Sequence, residues 1–125
     1  MKKFLSLLLL VSFSAFSQSA TIGQIHKTVT TAGTPVQLST TDLYVRQVWF
    51  QYSFSNTGAT GYVGNSAANA VAAKALVLVK PTATVPAPQL VLGTLQNNAS
   101  PKINLKDIWV DASSNNDEVN VFYIE

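Results

Sequence analysis

The chain has 125 residues, with 8 Lys and Arg against 6 Asp and Glu, a single histidine and no cysteine. The cysteine count excludes disulfides and thiolate metal sites, so packing and hydrogen bonding must hold the fold. Two of the cations are Lys2 and Lys3, and without them the charges balance at six each, which leaves no basic stripe for a nucleic-acid partner.

Lys2 and Lys3 stand before an apolar run from Phe4 to Val11, and small and polar residues follow as far as Ala20. This is the three-part pattern of a secretory signal peptide spanning residues 1–20. Cleavage is expected after Ser17, leaving Gln18 at the new N-terminus, or after Ala20. The apolar run is shorter than the roughly 20 residues of a membrane span, so membrane contact is expected only through this segment. Residues 21–125, about 105 in all, suffice for one domain with one modest core.

Thr28 to Thr31 and Val36 to Leu38 read as two short strands around the turn Ala32-Gly33-Thr34-Pro35. From Leu43 onward Val48, Phe50, Tyr52 and Phe54 fall on one face at period two, with Gln47, Trp49, Gln51 and Ser53 opposite. Asn56-Thr57-Gly58 ends this strand with residues that tolerate positive φ, and Tyr62-Val63 returns between Gly61 and Gly64.

Seven alanines between Ala59 and Ala75 leave two options between Ser66 and Ala75, one short helix or a loop. Ala75 to Val79 is continuously apolar and reads as a buried strand. The prolines from Pro81 to Pro88 lack N–H donors and mark a loop or an edge. A strand resumes at Gln89, residues 96–102 are turn-rich, and Ile108 to Ile124 reads as a terminal hairpin around residues 111–117. Its uncharged second strand, Val119 to Ile124, is expected to be an edge covered by neighbouring subunits. Short strands at turn-marked spacing give the fold class: all-β, a single small antiparallel sandwich, jelly-roll-like or Ig-like.

The chain carries few residues arranged for chemistry. His26 lies beside Lys27 in what should be a mobile N-terminal stretch, so no nucleophile, base and orienting group are brought together. Of the acids Asp42, Asp107, Asp111, Asp117, Glu118 and Glu125, those flanking the terminal turn read as solvated turn residues. Residues 111–118 carry clustered oxygen ligands but lack EF-hand spacing. Gly58, Gly61 and Gly64 read as turn glycines, because no helix start or lysine follows to make a phosphate cradle. Tyr44, Trp49 and Trp109 are assigned to core packing, with an exposed sugar- or protein-binding platform as the alternative. Asn98-Ala99-Ser100 matches a glycosylation acceptor pattern but is followed by Pro101 and carries no weight. No catalytic, cofactor-binding or metal residue is assigned, and the chain is read as a non-enzyme.

Residues 29–38 with their Ala32-Gly33-Thr34 turn, then Asn56-Thr57-Gly58 with Tyr62-Val63-Gly64, then Asn104 to Asp111, and finally Glu118 to Tyr123 occur in a fixed order. In that order they resemble small β-sandwich virion proteins of tailed and related bacteriophages. The resemblance implies a capsid, tail or spike component acting by subunit assembly or surface contact, with other virion subunits or itself as partner and no cofactor. It implies a virion location if the chain is phage-encoded. The alternative is an exported protein in the periplasm, on the outer surface or secreted, which binds a glycan or peptide for the bacterial host. The Ala/Pro-rich stretch from Asn65 to Pro88 departs from the resembling proteins and is expected to carry its own specificity.

Overall fold

The computed structural model describes residues 20–84, 89–93 and 102–125, and the expected cleavage point at Ser17 and Gln18 lies outside them. Ten strands follow in chain order: β1 (Ile22–Val29), β2 (Val36–Gln37), β3 (Tyr44–Val45), β4 (Gln47–Tyr52), β5 (Thr60–Gly64), β6 (Leu76–Val79), β7 (Leu90–Gly93), β8 (Ile103–Asn104), β9 (Trp109–Ala112) and β10 (Asp117–Ile124). A 3₁₀ turn, Leu105–Asp107, is capped by the Asn104 side chain, which accepts from the Lys106 N–H.

Eight strands form two antiparallel sheets, β1-β10-β4-β7 and β2-β9-β5-β6, while β3 and β8 pair separately. Setting that ribbon aside, the sheets read first-eighth-third-sixth and second-seventh-fourth-fifth. This is the double Greek key of a jelly roll. An immunoglobulin-type sandwich would place the first two strands in one sheet, and here they lie in different ones.

Alternation explains the core. In β4, Val48, Phe50 and Tyr52 are fully buried between the sheets, and Val119 and Val121 of β10 meet them from the neighbouring strand. The hydrophobic period ends at Tyr52, so Phe54 is 65% exposed beyond the strand and does not join that face. The expected continuous strand from Leu43 is broken at Arg46, whose N–H donates to Ile124 O while β3 turns aside to pair with β8. β1 begins at Ile22, and Gly23 pairs with Tyr123, whose ring occupies the space where a glycine Cβ would be.

Three expected reversals prove to be crossings between sheets. Residues 30–35 carry the chain from β1 to β2, residues 53–59 from β4 to β5, and residues 113–116 from β9 to β10. The terminal segment is therefore no hairpin. Nor is β10 an edge, because β1 and β4 flank it. Positive φ occurs at Gly33, Gly93 and Asn116 rather than at Asn56 or Gly58. Gly61 and Gly64 lie within β5, where the Tyr52 ring and the Asn69–Ala70 backbone approach too closely to admit a side chain.

Between Ser66 and Ala75 no helix forms. Ser66 O accepts from Asn69 and Ala70, and Val71 O from Lys74 and Ala75, which makes two successive single turns. Ala70 is buried and its backbone rests on Gly64, so the first turn is anchored to β5 and the chain is redirected before a helix can propagate.

The three crossings share one end of the sandwich and are joined there by buried polar groups. Asp117, 2% exposed, accepts from the Tyr52 hydroxyl, from Thr57 N–H at 2.8 Å, from Thr57 Oγ1 at 3.2 Å and from Gly58 N–H at 2.9 Å. A Cβ on Gly58 would collide with the Asp117 carboxylate and the Ser113 hydroxyl. Asn56 extends the β4–β10 ladder with its side chain: Nδ2 donates to Glu118 O and Oδ1 accepts from Glu118 N–H, both at 2.8 Å. Asp111, also 2% exposed, accepts from Gly33 N–H at 3.0 Å and from Ala112 N–H at 2.8 Å. Both acids, expected to be solvated turn residues, are internal braces.

Burial alone would raise the Asp117 pKa, but the Tyr52 hydroxyl and the Thr57 and Gly58 amides outweigh it and hold the carboxyl below its usual range. Its stabilisation is therefore complete above the unfolded pKa of about 4 and is lost as pH falls through the lower folded value. Asp117→Ala strands several buried donors and should cost about 3 kcal/mol in urea unfolding at neutral pH, with Tyr52→Phe costing less. Equal stability of Asp117→Ala and the parent would contradict this role.

Candidate functional site

At the end opposite the crossings, the sheets part over a cleft of about 750 Å³. Val63 from β5, Leu76 from β6, Leu92 from β7, Ile103 from β8 and Ile108 give it an aliphatic lining. Asn65, Asn69, Lys74, Asn104 and Asp107 add the polar groups. A concave apolar surface with a few polar groups is the usual form of a binding site.

These polar groups differ in availability. Asn104 is engaged, its Oδ1 accepting from Leu43 and Lys106 N–H and its Nδ2 donating to Asp42. Asn69 Nδ2 donates to Asn65 Oδ1 at 2.7 Å. Lys74 and Asp107 make no side-chain hydrogen bond or ion pair among the described residues, so one cation and one anion stand ready at the cleft. The stretch singled out for its Ala and Pro content supplies Asn65, Asn69, Lys74 and Leu76. The cleft itself was not foreseen, because its wall residues are far apart in sequence and individually ordinary.

The aromatic residues assigned to the core lie outside it. Trp49 alternates with the buried Val48 and Phe50, so it projects from the outer face of its sheet, in a cross-strand row Gln24–Phe122–Trp49–Val91. Trp109 projects from the outer face of the other sheet, beside Gln37 and Gly64. Tyr44 is exposed on β3. The two tryptophans point in opposite directions and form no common platform.

His26 is held in β1 opposite Asn120, not in a mobile tail. Its Nδ1 lies 3.0 Å from Glu118 Oε1 and 2.6 Å from Asn120 Oδ1. Two acceptors flank this nitrogen, so it carries a hydrogen. No hydroxyl is bonded to the ring among the described residues. The oxygen-rich segment from Asp111 to Glu118 turns its two buried carboxylates toward N–H and O–H donors. Among the described residues no three His, Cys, Asp or Glu side chains gather as metal ligands. The Asn98 acceptor pattern lies outside the described residues.

The class these observations define is a small all-β sandwich of jelly-roll order with a cleft at one end and an apolar outer strand, β6. Comparison with protein-family models, with curated proteins and with solved structures gives no match. Any functional reading therefore rests on the surface and cleft themselves.

The hydrogen bonds to Glu118 and Asn120, in that order of effect, raise the His26 pKa above its ordinary value. The interaction is complete below the unfolded pKa of about 6.5 and fades as pH rises through the folded value. NMR titration should place the ring above that reference, and Glu118→Gln should lower it. A parent value at or below the Glu118→Gln value would contradict the contact.

Proposed function

We propose that this chain is a non-enzymatic, phage-related β-module that works by subunit assembly in a virion or by surface contact from it. Fold alone does not decide function. The observation that carries the reading is the set of large apolar side chains left exposed on outer strands and faces: Ile22, Val77, Val79, Val91 and Phe122. Ile22, Phe122 and Val91 lie on the outer face of one sheet and Val77 and Val79 on that of the other, and exposed apolar surface of this kind usually awaits a partner. The jelly-roll order supports the same reading, since that architecture recurs in viral capsid domains. The motif order of the sequence supports it as well.

A second reading, an exported binding protein of the bacterial host for a glycan or peptide, is favoured by the cleft with Lys74 and Asp107, whose side chains are unpaired among the described residues. The jelly roll serves lectins too.

Mass spectrometry of purified particles separates the two. The structural reading expects the chain in particles made from an intact genome, at a fixed ratio to other virion proteins. Its absence from such particles defeats that reading, and its recovery from the host envelope or medium instead supports the second.

A further inference from the structure

β6 was expected to be buried, and it is an outer strand. Among the described residues it has β5 on one side and no strand on the other. Leu76, Val77 and Val79 are 50%, 51% and 49% exposed, although the strand is Leu-Val-Leu-Val without a charge or proline. Proteins ordinarily blunt such an edge with charges, bulges or a covering element.

The backbone of this edge points outward at defined residues. Lys80 N–H donates to Ala59 O at 2.9 Å, and the register pairs Leu78 with Gly61 and Leu76 with Val63. By antiparallel alternation Leu76 and Leu78 turn their N–H and C=O groups to β5, and Val77 and Val79 turn theirs away. The Leu76 side chain faces inward and lines the cleft. A strand added outside β6 would bond to Val77 and Val79 and place its residue opposite Leu76 over the cleft, towards Leu92 and Ile103.

Charge selects the occupant. Lys80 is tied back to Asn56 O, whereas Lys74, at the cleft end of the strand, has no side-chain partner among the described residues. Two copies of β6 paired about a dyad through Val77 would bring the turn that carries Lys74 beside the other copy's Lys80. A dyad through Leu78 separates them by only two residues, about 7 Å. A second copy therefore meets like-charge repulsion.

We propose that β6 and the cleft together form a peptide-docking site. It takes the carboxyl-terminal stretch of a different protein chain as an added strand, extended and with aliphatic or β-branched side chains, one apolar side chain in the cleft and the terminal carboxylate on Lys74. Strand addition of this type draws affinity from main-chain hydrogen bonds and specificity from alternate side-chain pockets. The inference takes from the preceding reading only that the module acts by contact with another chain.

The test titrates the isotope-labelled protein with an acetylated hexapeptide of alternating threonine and valine ending in leucine with a free carboxylate. The backbone amide signals of Val77 and Val79 should shift and saturate. Val77→Pro removes a donor that the β5 ladder does not use, so the fold should persist while affinity drops by about tenfold or more. Val77→Lys, on the outer face, should weaken binding similarly if the proline variant fails to fold. Lys74→Glu, or a C-terminal amide on the peptide, should also weaken it. Absence of a saturable shift at Val77 and Val79, or undiminished binding to a folded Val77 variant, overturns the proposal. So does a dimer that Val77→Lys dissociates without effect on the peptide. If the chain is found in particles but these titrations fail, only the docking site falls; the reverse result leaves the docking site and removes the virion reading.

Discussion

The carboxylate of Asp117 is the constraint on which the architecture turns. It opens β10, the strand at the centre of one sheet, and takes donors from the Tyr52 hydroxyl and from the next crossing at Thr57 and Gly58. A buried carboxylate without partners would be untenable, and these donors would be equally costly without it. Each side therefore specifies the other, and the chain must cross between sheets where Asp117 can be reached. Asp111 repeats the device by drawing Gly33 of the first crossing onto β9. In a fold without disulfides, these polar braces do the work of covalent links at one end.

Closing one end with polar groups has a consequence at the other. The sheets are tied by buried carboxylates near Val29, Tyr52 and Asp117, whereas at the Gly64 and Leu92 end aliphatic side chains line the cleft. Among the described residues the outer strand β6 also lacks a covering element. β6 is uncharged and half exposed, and its inner face feeds directly into the cleft. Braced crossings at one end and an accessible β6 at the other are compatible with the contact role proposed above.

Much of the fold was legible in local pattern. The alternation of Val48, Phe50 and Tyr52 identifies the inner face of β4 correctly, because a half-buried strand imposes period two wherever it lies. Strand partners were not legible. Turn residues at Ala32-Gly33, Asn56-Thr57-Gly58 and residues 113–116 mark a reversal, but the same chemistry serves a hairpin within one sheet and a crossing between two. The burial of Asp117 was hidden for a related reason, since its partners lie about sixty residues away in sequence. The run Ala75 to Val79 reads as a buried strand, yet only Leu78 of β6 is core, because hydrophobicity reports a need for cover, not whether this chain supplies it. Of the candidate site, only the stretch beginning at Asn65 was signalled in advance, by its unusual composition.

Native-state hydrogen exchange at Thr57 and Gly58 is the most direct test of the claim that Asp117 locks the crossings. Both residues lie in a connecting segment without strand pairing, where ordinary loop amides exchange rapidly. If the carboxylate locks them, their exchange free energies should match those of Val119 and Val121 in the core and should fall with them in Asp117→Asn. Rapid exchange at Thr57 and Gly58 in an otherwise protected protein would show that the crossings open independently and would contradict the account.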